Sequence, residues 1–254
     1  MGKKNFPGNR YLIRDYIQSQ FGVSYSLTAL SDLLHRLGLK RLRPKLIPGK
    51  PPSLEEQTKF IDQYNQLKAF EDNDPGVIQM FVDGMHLIHQ VIPSYCWGEK
   101  GSPPVLQSNS SRQRLNILGA YHTGRQEFVH LTSETNCDAI QVVKFLELVT
   151  KSYMHCHSII LHLDNAPYFH APIVQCWLTK HPEIILNRLP VYAPNLNLIE
   201  RLWRFVKEQM VHNRYFEQYK TFRAHAFRLL NRIQDFTIPL QSLINDKFEL
   251  IGNY

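Results

Sequence analysis

Ile159-Ile160-Leu161-His162-Leu163-Asp164 is a short apolar run closed by a carboxylate. A second run, Val77-Ile78-Gln79-Met80-Phe81-Val82-Asp83, closes the same way. Apolar runs of this length, rich in β-branched residues and bounded by turn signals, suit buried strands. A third acid, Glu200, lies in Asn197-Leu198-Ile199-Glu200-Arg201-Leu202-Trp203, where the spacing is helical. Two carboxylates at strand ends and a third at the start of a helix can converge on one point. Each is embedded in apolar sequence, where an unpaired carboxylate is costly. Converging carboxylates suit hard divalent cations such as magnesium. Two such ions support in-line phosphoryl displacement. Nucleic-acid strand chemistry is therefore the leading reading, with Asp83 as the ligand shared between ions, Asp164 on one and Glu200 on the other. The helix dipole is expected to keep Glu200 ionised.

Outward from these acids, strand and helix patterns alternate. Strands are expected at 77–83, 114–121, 126–132, 159–164 and 184–189. Helices are expected at about 137–154 with Thr135 as cap, at 167–180, at 197–212 with Asn197 as cap, and at 217–234. This order predicts an α/β mixed sheet flanked by helices. Upstream, Ser53-Leu54-Glu55-Glu56 is a capping box opening a helix to about Phe70. The Pro-rich stretch 44–52 reads as a linker. Apolar residues at helical spacing over 9–20, a break at Gly22, and a second helix from Ser26 to Gly38 predict a helix-turn-helix. Leu39 to Leu46 alternates basic and apolar residues as a small wing would. The expected units are 1–47 for this DNA-binding element, 48–74 for linker and connecting helix, and 75–254 for the domain holding the acids.

The formal net charge is +7. Residues 1–52 hold ten Lys or Arg against Asp15 and Asp32, while the other 202 residues are nearly balanced with 19 basic and 20 acidic. Concentrated positive charge on a helix-turn-helix points to nucleic acid. Arg36, Lys40, Arg41, Arg43 and Lys45 are its candidate DNA contacts. Arg201 and Arg204, at i and i+3 beside Glu200, are candidates near the acids, the alternative being a solvated face. Cys96, Cys137, Cys156 and Cys176 lack zinc or disulfide spacing. With no signal-like N-terminus and no apolar stretch of membrane-spanning length, the expectation is a soluble cytoplasmic protein. His162 is expected to pack rather than move protons, and Trp203 to lie in the core or stack on a base.

Leu163-Asp164-Asn165-Ala166-Pro167, together with Leu189 to Lys207, resembles the catalytic end of DDE transposases, in particular the bacterial insertion-sequence branch of the mariner superfamily. Asp164 and Glu200 are separated by 35 residues, a spacing of the kind found there. Phe81-Val82-Asp83-Gly84 looks like the family's first acidic motif, with Gly84 where an acid often follows. Trp97-Gly98-Glu99-Lys100-Gly101 and Leu118-Gly119-Ala120 resemble further motifs, and the N-terminal segment resembles the family's winged helix-turn-helix. The resemblance implies an RNase H-like domain using two magnesium or manganese ions. Its reaction would be cleavage at transposon ends, then attack of the freed 3′-hydroxyl on target DNA, commonly at TA. Asp83, Asp164 and Glu200 carry over as metal ligands. The implied partners are double-stranded DNA with terminal inverted repeats and a second copy in the DNA complex, and the implied place is the bacterial nucleoid. Relatives often carry one more helical DNA-binding unit, so a shortened or internally started form is expected. The alternative is a catalytically inactive or repurposed DNA-binding protein.

Overall fold

The computed structural model describes residues 10–40, 49–99, 102 and 104–252. The chain divides into two compact units, Met1–Ile47 and Pro48–Tyr254. In the first, α1 (Arg10–Phe21) and α2 (Leu27–Arg36) form the helical pair read from the sequence. Gly22 between them has φ +67, a left-handed conformation that favours glycine. The Ser26 hydroxyl caps α2 by accepting from the Ala29 N–H at 3.1 Å. Arg10 Nη1 donates to Ser31 Oγ at 3.1 Å, tying the two helices together. Arg36 and Lys40 are exposed on this unit. The expected wing, with Arg41, Arg43 and Lys45, lies outside the described residues.

The second unit opens with α3 (Leu54–Asn73), whose Ser53 and Glu56 form the anticipated capping box. Then follow β1 (Val77–Ile88), β2 (Arg114–His122), β3 (Glu127–Ser133), α4 (Ala139–Ser152), β4 (Ser158–Leu163), α5 (Pro172–Leu178) and β5 (Ile184–Arg188). After them come α6 (Ile199–Met210), α7 (Tyr219–Leu230) and α8 (Thr237–Leu243). The sheet has five strands in the order β3-β2-β1-β4-β5. β1, β2 and β3 pair antiparallel, while β1, β4 and β5 pair parallel. This is the mixed, helix-flanked sheet of an RNase H-like domain. One face carries Ile78, Met80 and Val82 against α4 and α5. The other carries Phe81, Met85 and Leu87 against α3, α6, α7 and α8. Period-2 alternation along β1 separates these two cores. No helix among the described residues is long and apolar enough to cross a membrane.

Several local expectations change. β1 runs on to Ile88, so Asp83 sits within the strand rather than at its end. Asp138, not Thr135, caps α4, accepting from the Gln141 N–H at 2.9 Å. The helix expected at 167–180 is split into a 3-10 turn, Pro167–His170, and α5, because Pro172 cannot continue a helix through its own N–H. The 197–212 helix begins at Ile199, after a 3-10 turn at Pro194–Leu196. The connecting helix α3 is built into the second unit, burying Phe60 and Tyr64 in its core.

His162 is fully buried, with its ring edge-on to Phe60 and tilted 30° over Phe81. Its Nε2 lies 2.9 Å from Gln79 Oε1 and its Nδ1 3.0 Å from Asn187 Nδ2. That network assigns the neutral tautomer protonated at Nε2. Burial pushes the pKa down to about 4. An unfolded histidine titrates near 6.5. Between those values the unfolded chain holds more protons, so stability is full above about 6.5 and falls as pH drops toward 4. The expected contribution is roughly 3 kcal/mol. Urea melts from pH 7.5 to 4.5 will show a shallower decline for His162→Asn than for the wild type. Parallel declines would refute this role.

Candidate active site

Parallel pairing of β1 with β4 sets Phe81 beside His162 and Val82 beside Leu163. The next positions in that register are Asp83 and Asp164, where β4 ends. Asp83 shares the alternation of Phe81 and Met85, so it faces the α6 side of the sheet. α6 lays Ile199, Leu202, Trp203 and Val206 into the core and carries Glu200 in its first turn, with access to solvent. Two bonds pin this helix start to β1 around Asp83. Trp203 Nε1 donates to Asp83 Oδ2 at 3.0 Å, and Asn197 Nδ2 donates to the Val82 carbonyl at 3.1 Å. Asn197 therefore acts as a cross-link to the strand. The α6 N-cap position is Leu198, which has no side-chain capping bond. Gly119 faces Asp83 across the β1–β2 ladder. A Cβ there would stand 2.6 Å from Trp203 Cη2, so the indole reaches Asp83 only because position 119 lacks a side chain.

The three acids feel one another. Burial, then the charge of Glu200, then that of Asp164 push the Asp83 carboxyl up to about 7, against the opposing Gly84 N–H and the Trp203 indole. The Glu200 carboxyl is also raised, chiefly by burial, while Lys207 and Asp83 pull it back and Asp164 adds to the rise. Burial thus works against the helix dipole at Glu200. Asp164 is exposed and closes a turn, its Oδ1 accepting from the Ala166 N–H at 3.1 Å. Among the described residues no three His, Cys, Asp or Glu side chains stand close enough to hold one ion as placed. Gripping an ion therefore takes side-chain adjustment of the acids. The donor set still fits a hard divalent cation, because it offers carboxylate oxygens alone and a cation would relieve their mutual repulsion.

The flanking candidates separate. Arg201 Nη1 donates to the Asn245 carbonyl at 2.9 Å and Nη2 to the Lys247 carbonyl at 2.6 Å. It straps the C-terminal chain, which leaves Arg204, exposed one turn on, as the freer cation. Trp203 is core, 1% exposed, whereas Trp97 is 103% exposed on the arm between β1 and β2. The positioning roles of Gly119 and Asn197 escape sequence reasoning. A glycine inside an apolar strand is the signal available for the first, and nothing in the sequence marks the second as reaching β1.

Residues 79–223, more than half of the chain, match the family described as DDE superfamily endonuclease, and residues 9–64 match the winged helix-turn-helix family. A protein of insertion element IS630 from Shigella sonnei, described as an uncharacterized 39 kDa protein, is 23% identical over 117 residues. That match covers 46% of this chain and 34% of the relative, so the chain spans about a third of the curated relative's length. Among solved structures, the Mos1 transposase paired-end complex with left transposon end aligns with TM-score 0.56 at 13% identity, over 98% of this chain and 83% of that one. The mariner Mos1 paired-end complex with Mg aligns with TM-score 0.61 at 13% identity, over 97% and 77%. At that identity the likeness concerns the fold.

Proposed function

Because the chain belongs to the DDE superfamily of endonucleases, we propose that it is a DNA transposase of the insertion-sequence/mariner type, cutting element ends and joining the freed 3′-hydroxyl to target DNA. The observation that carries this reading is the register that sets Asp83 beside Asp164 under the helix bearing Glu200. Asp83 would be shared between two magnesium or manganese ions, with Asp164 and Glu200 completing one each. Such ions polarise phosphoryl oxygens and lower the pKa of attacking water. The chain's own part is positional. Trp203 and Asn197 fix Asp83 and the start of α6, the end of β4 leaves Asp164 open to a strand of DNA, and Arg204 supplies charge for phosphates. The N-terminal helical pair, with Arg36, Lys40, Arg41, Arg43 and Lys45, would address terminal inverted repeats. Two ends need two active sites, so a dimer on DNA, acting in the bacterial nucleoid on TA targets, completes the proposal.

The test uses duplexes bearing the inverted repeats that flank the coding sequence, with magnesium. Wild-type protein should nick at the repeat boundary and join pre-cut ends to a plasmid. Asp164→Asn should lose roughly a thousandfold in both steps while keeping DNA affinity. Nicking without joining would make it a nuclease. Binding without either step would leave a repurposed DNA-binding protein.

A further inference from the structure

Beside the acids, the same strand ends gather a second group. β4 and β5 pair with Leu163 opposite Arg188, so Arg188 closes β5 where Asp164 and Asn165 leave β4. Asn165 Oδ1 lies 2.7 Å from His170 Nε2 and accepts from Arg188 Nη1 at 3.0 Å. His170 ends the 3-10 turn that follows. One amide oxygen taken by two donors fixes both of them. Unlike Arg223 and Arg232, which face Glu134 and Asp235, Arg188 is held by a neutral amide. Among the described residues no acid pairs with it, so its charge is oriented but not cancelled, and it is half-buried rather than waving in solvent. A guanidinium so placed keeps further N–H donors for a planar or tetrahedral anion.

We infer that Arg188, positioned by Asn165 and His170, binds a backbone phosphate of the DNA strand within two nucleotides of the one that is cut. This rests on the transposase reading above. The placement supports it: Arg188 closes the strand next to the one that Asp164 leaves, neighbouring strands lie about 4.8 Å apart, and two nucleotides of a duplex rise by about 6.8 Å along its axis. A strand laid across these strand ends with one phosphate at Asp164 brings a neighbour to Arg188. The contact adds no base preference, because phosphates position while base edges specify.

The experiment measures affinity, in calcium, for end duplexes in which single phosphates near the cut are replaced one at a time by uncharged methylphosphonates. Wild-type protein should lose about tenfold at one position within two nucleotides of the cut. Arg188→Gln should lose about as much on unmodified DNA, become indifferent to that one position, and bind with a salt slope shallower by about one. Arg188→Lys should keep the salt slope and lose only part of the affinity, since it retains the charge without the fork. If Arg188→Gln keeps the wild-type position profile, or weakens binding with an unchanged slope, Arg188 is structural and the inference falls. If the wild type neither binds these duplexes nor cuts them with magnesium, the transposase reading itself fails and this inference goes with it. Cutting without an Arg188-dependent phosphate defeats the inference alone.

Discussion

Asp83→Asn gives a protein that melts at a higher temperature than the wild type in metal-free buffer, yet cuts DNA at least about a thousandfold more slowly. The two effects share one cause. Asp83 is half-buried, near Glu200 and Asp164, and without a cation that crowding of charge has no compensation. An asparagine keeps the shape and still offers an oxygen to the Trp203 indole, so the bond to α6 survives while the repulsion goes. The gain is on the order of 2 kcal/mol, set by the cost of holding an unpaired charge away from water. The loss of activity follows because a neutral amide is a poor ligand for a hard ion. Thermal melts with chelator and with magnesium check both halves. Magnesium should stabilise the wild type much more than the variant, by mass action on the folded state. A variant that melts lower than the wild type without metal would show that the acids are not in conflict.

Gly119→Ala is expected to destabilise the fold by about 1–3 kcal/mol, the usual range for overpacking a core, and to lower cleavage further than that loss of stability explains. The added carbon would meet Trp203 Cη2 at 2.6 Å and Phe128 Cε2 at 2.8 Å. Both rings belong to the packed layer under α6. Relief requires the indole to move, and its Nε1 bond to Asp83 moves with it. Phenylalanine lacks the outer indole atoms that clash. In a Trp203→Phe background the alanine should therefore cost much less, giving a coupling of about 1 kcal/mol or more in a double-mutant cycle. Independent, additive effects would mean that Gly119 does not make room for Trp203.

The three acids stood out as candidates because each closes or interrupts an apolar run, and the mixed sheet followed from the order of those runs. What misled was the apparent end of β1 at Asp83. From Val77 to Val82 the strand pairs with β4 and lies between the two cores, so apart from Gln79 it reads as an apolar run. Beyond Val82 it pairs with β2 alone and exposure alternates, with Met85 and Leu87 buried and His86 and Ile88 exposed, so after Asp83-Gly84 the run seems to stop. The helix at 167–180 broke because the Pro172 ring cannot be placed inside it. Thr135 lost the cap of α4 to Asp138, since its hydroxyl instead meets Ser133 Oγ at 2.8 Å. Asn197 looked like a local cap because sequence shows neighbours along the chain, and its partner, Val82, is 115 positions away. The supports around these acids are of this long-range kind, which is why the acids could be proposed from sequence and their scaffolding could not.

The last stretch of chain is woven into the wall behind Glu200. Gln57 at the start of α3 bonds both the N–H and the carbonyl of Ile251, at 3.0 and 2.9 Å. Asn195 reaches the Glu249 carbonyl at 2.6 Å, and Asp246 gathers Lys68, Tyr64 and Thr123. A premature stop codon that trims only the final ten positions would spare Asp83, Asp164 and Glu200 and still unfasten the turn leading into α6. On the transposase reading proposed above, surveys that count intact acidic triads would score such copies as living elements when they are already relics.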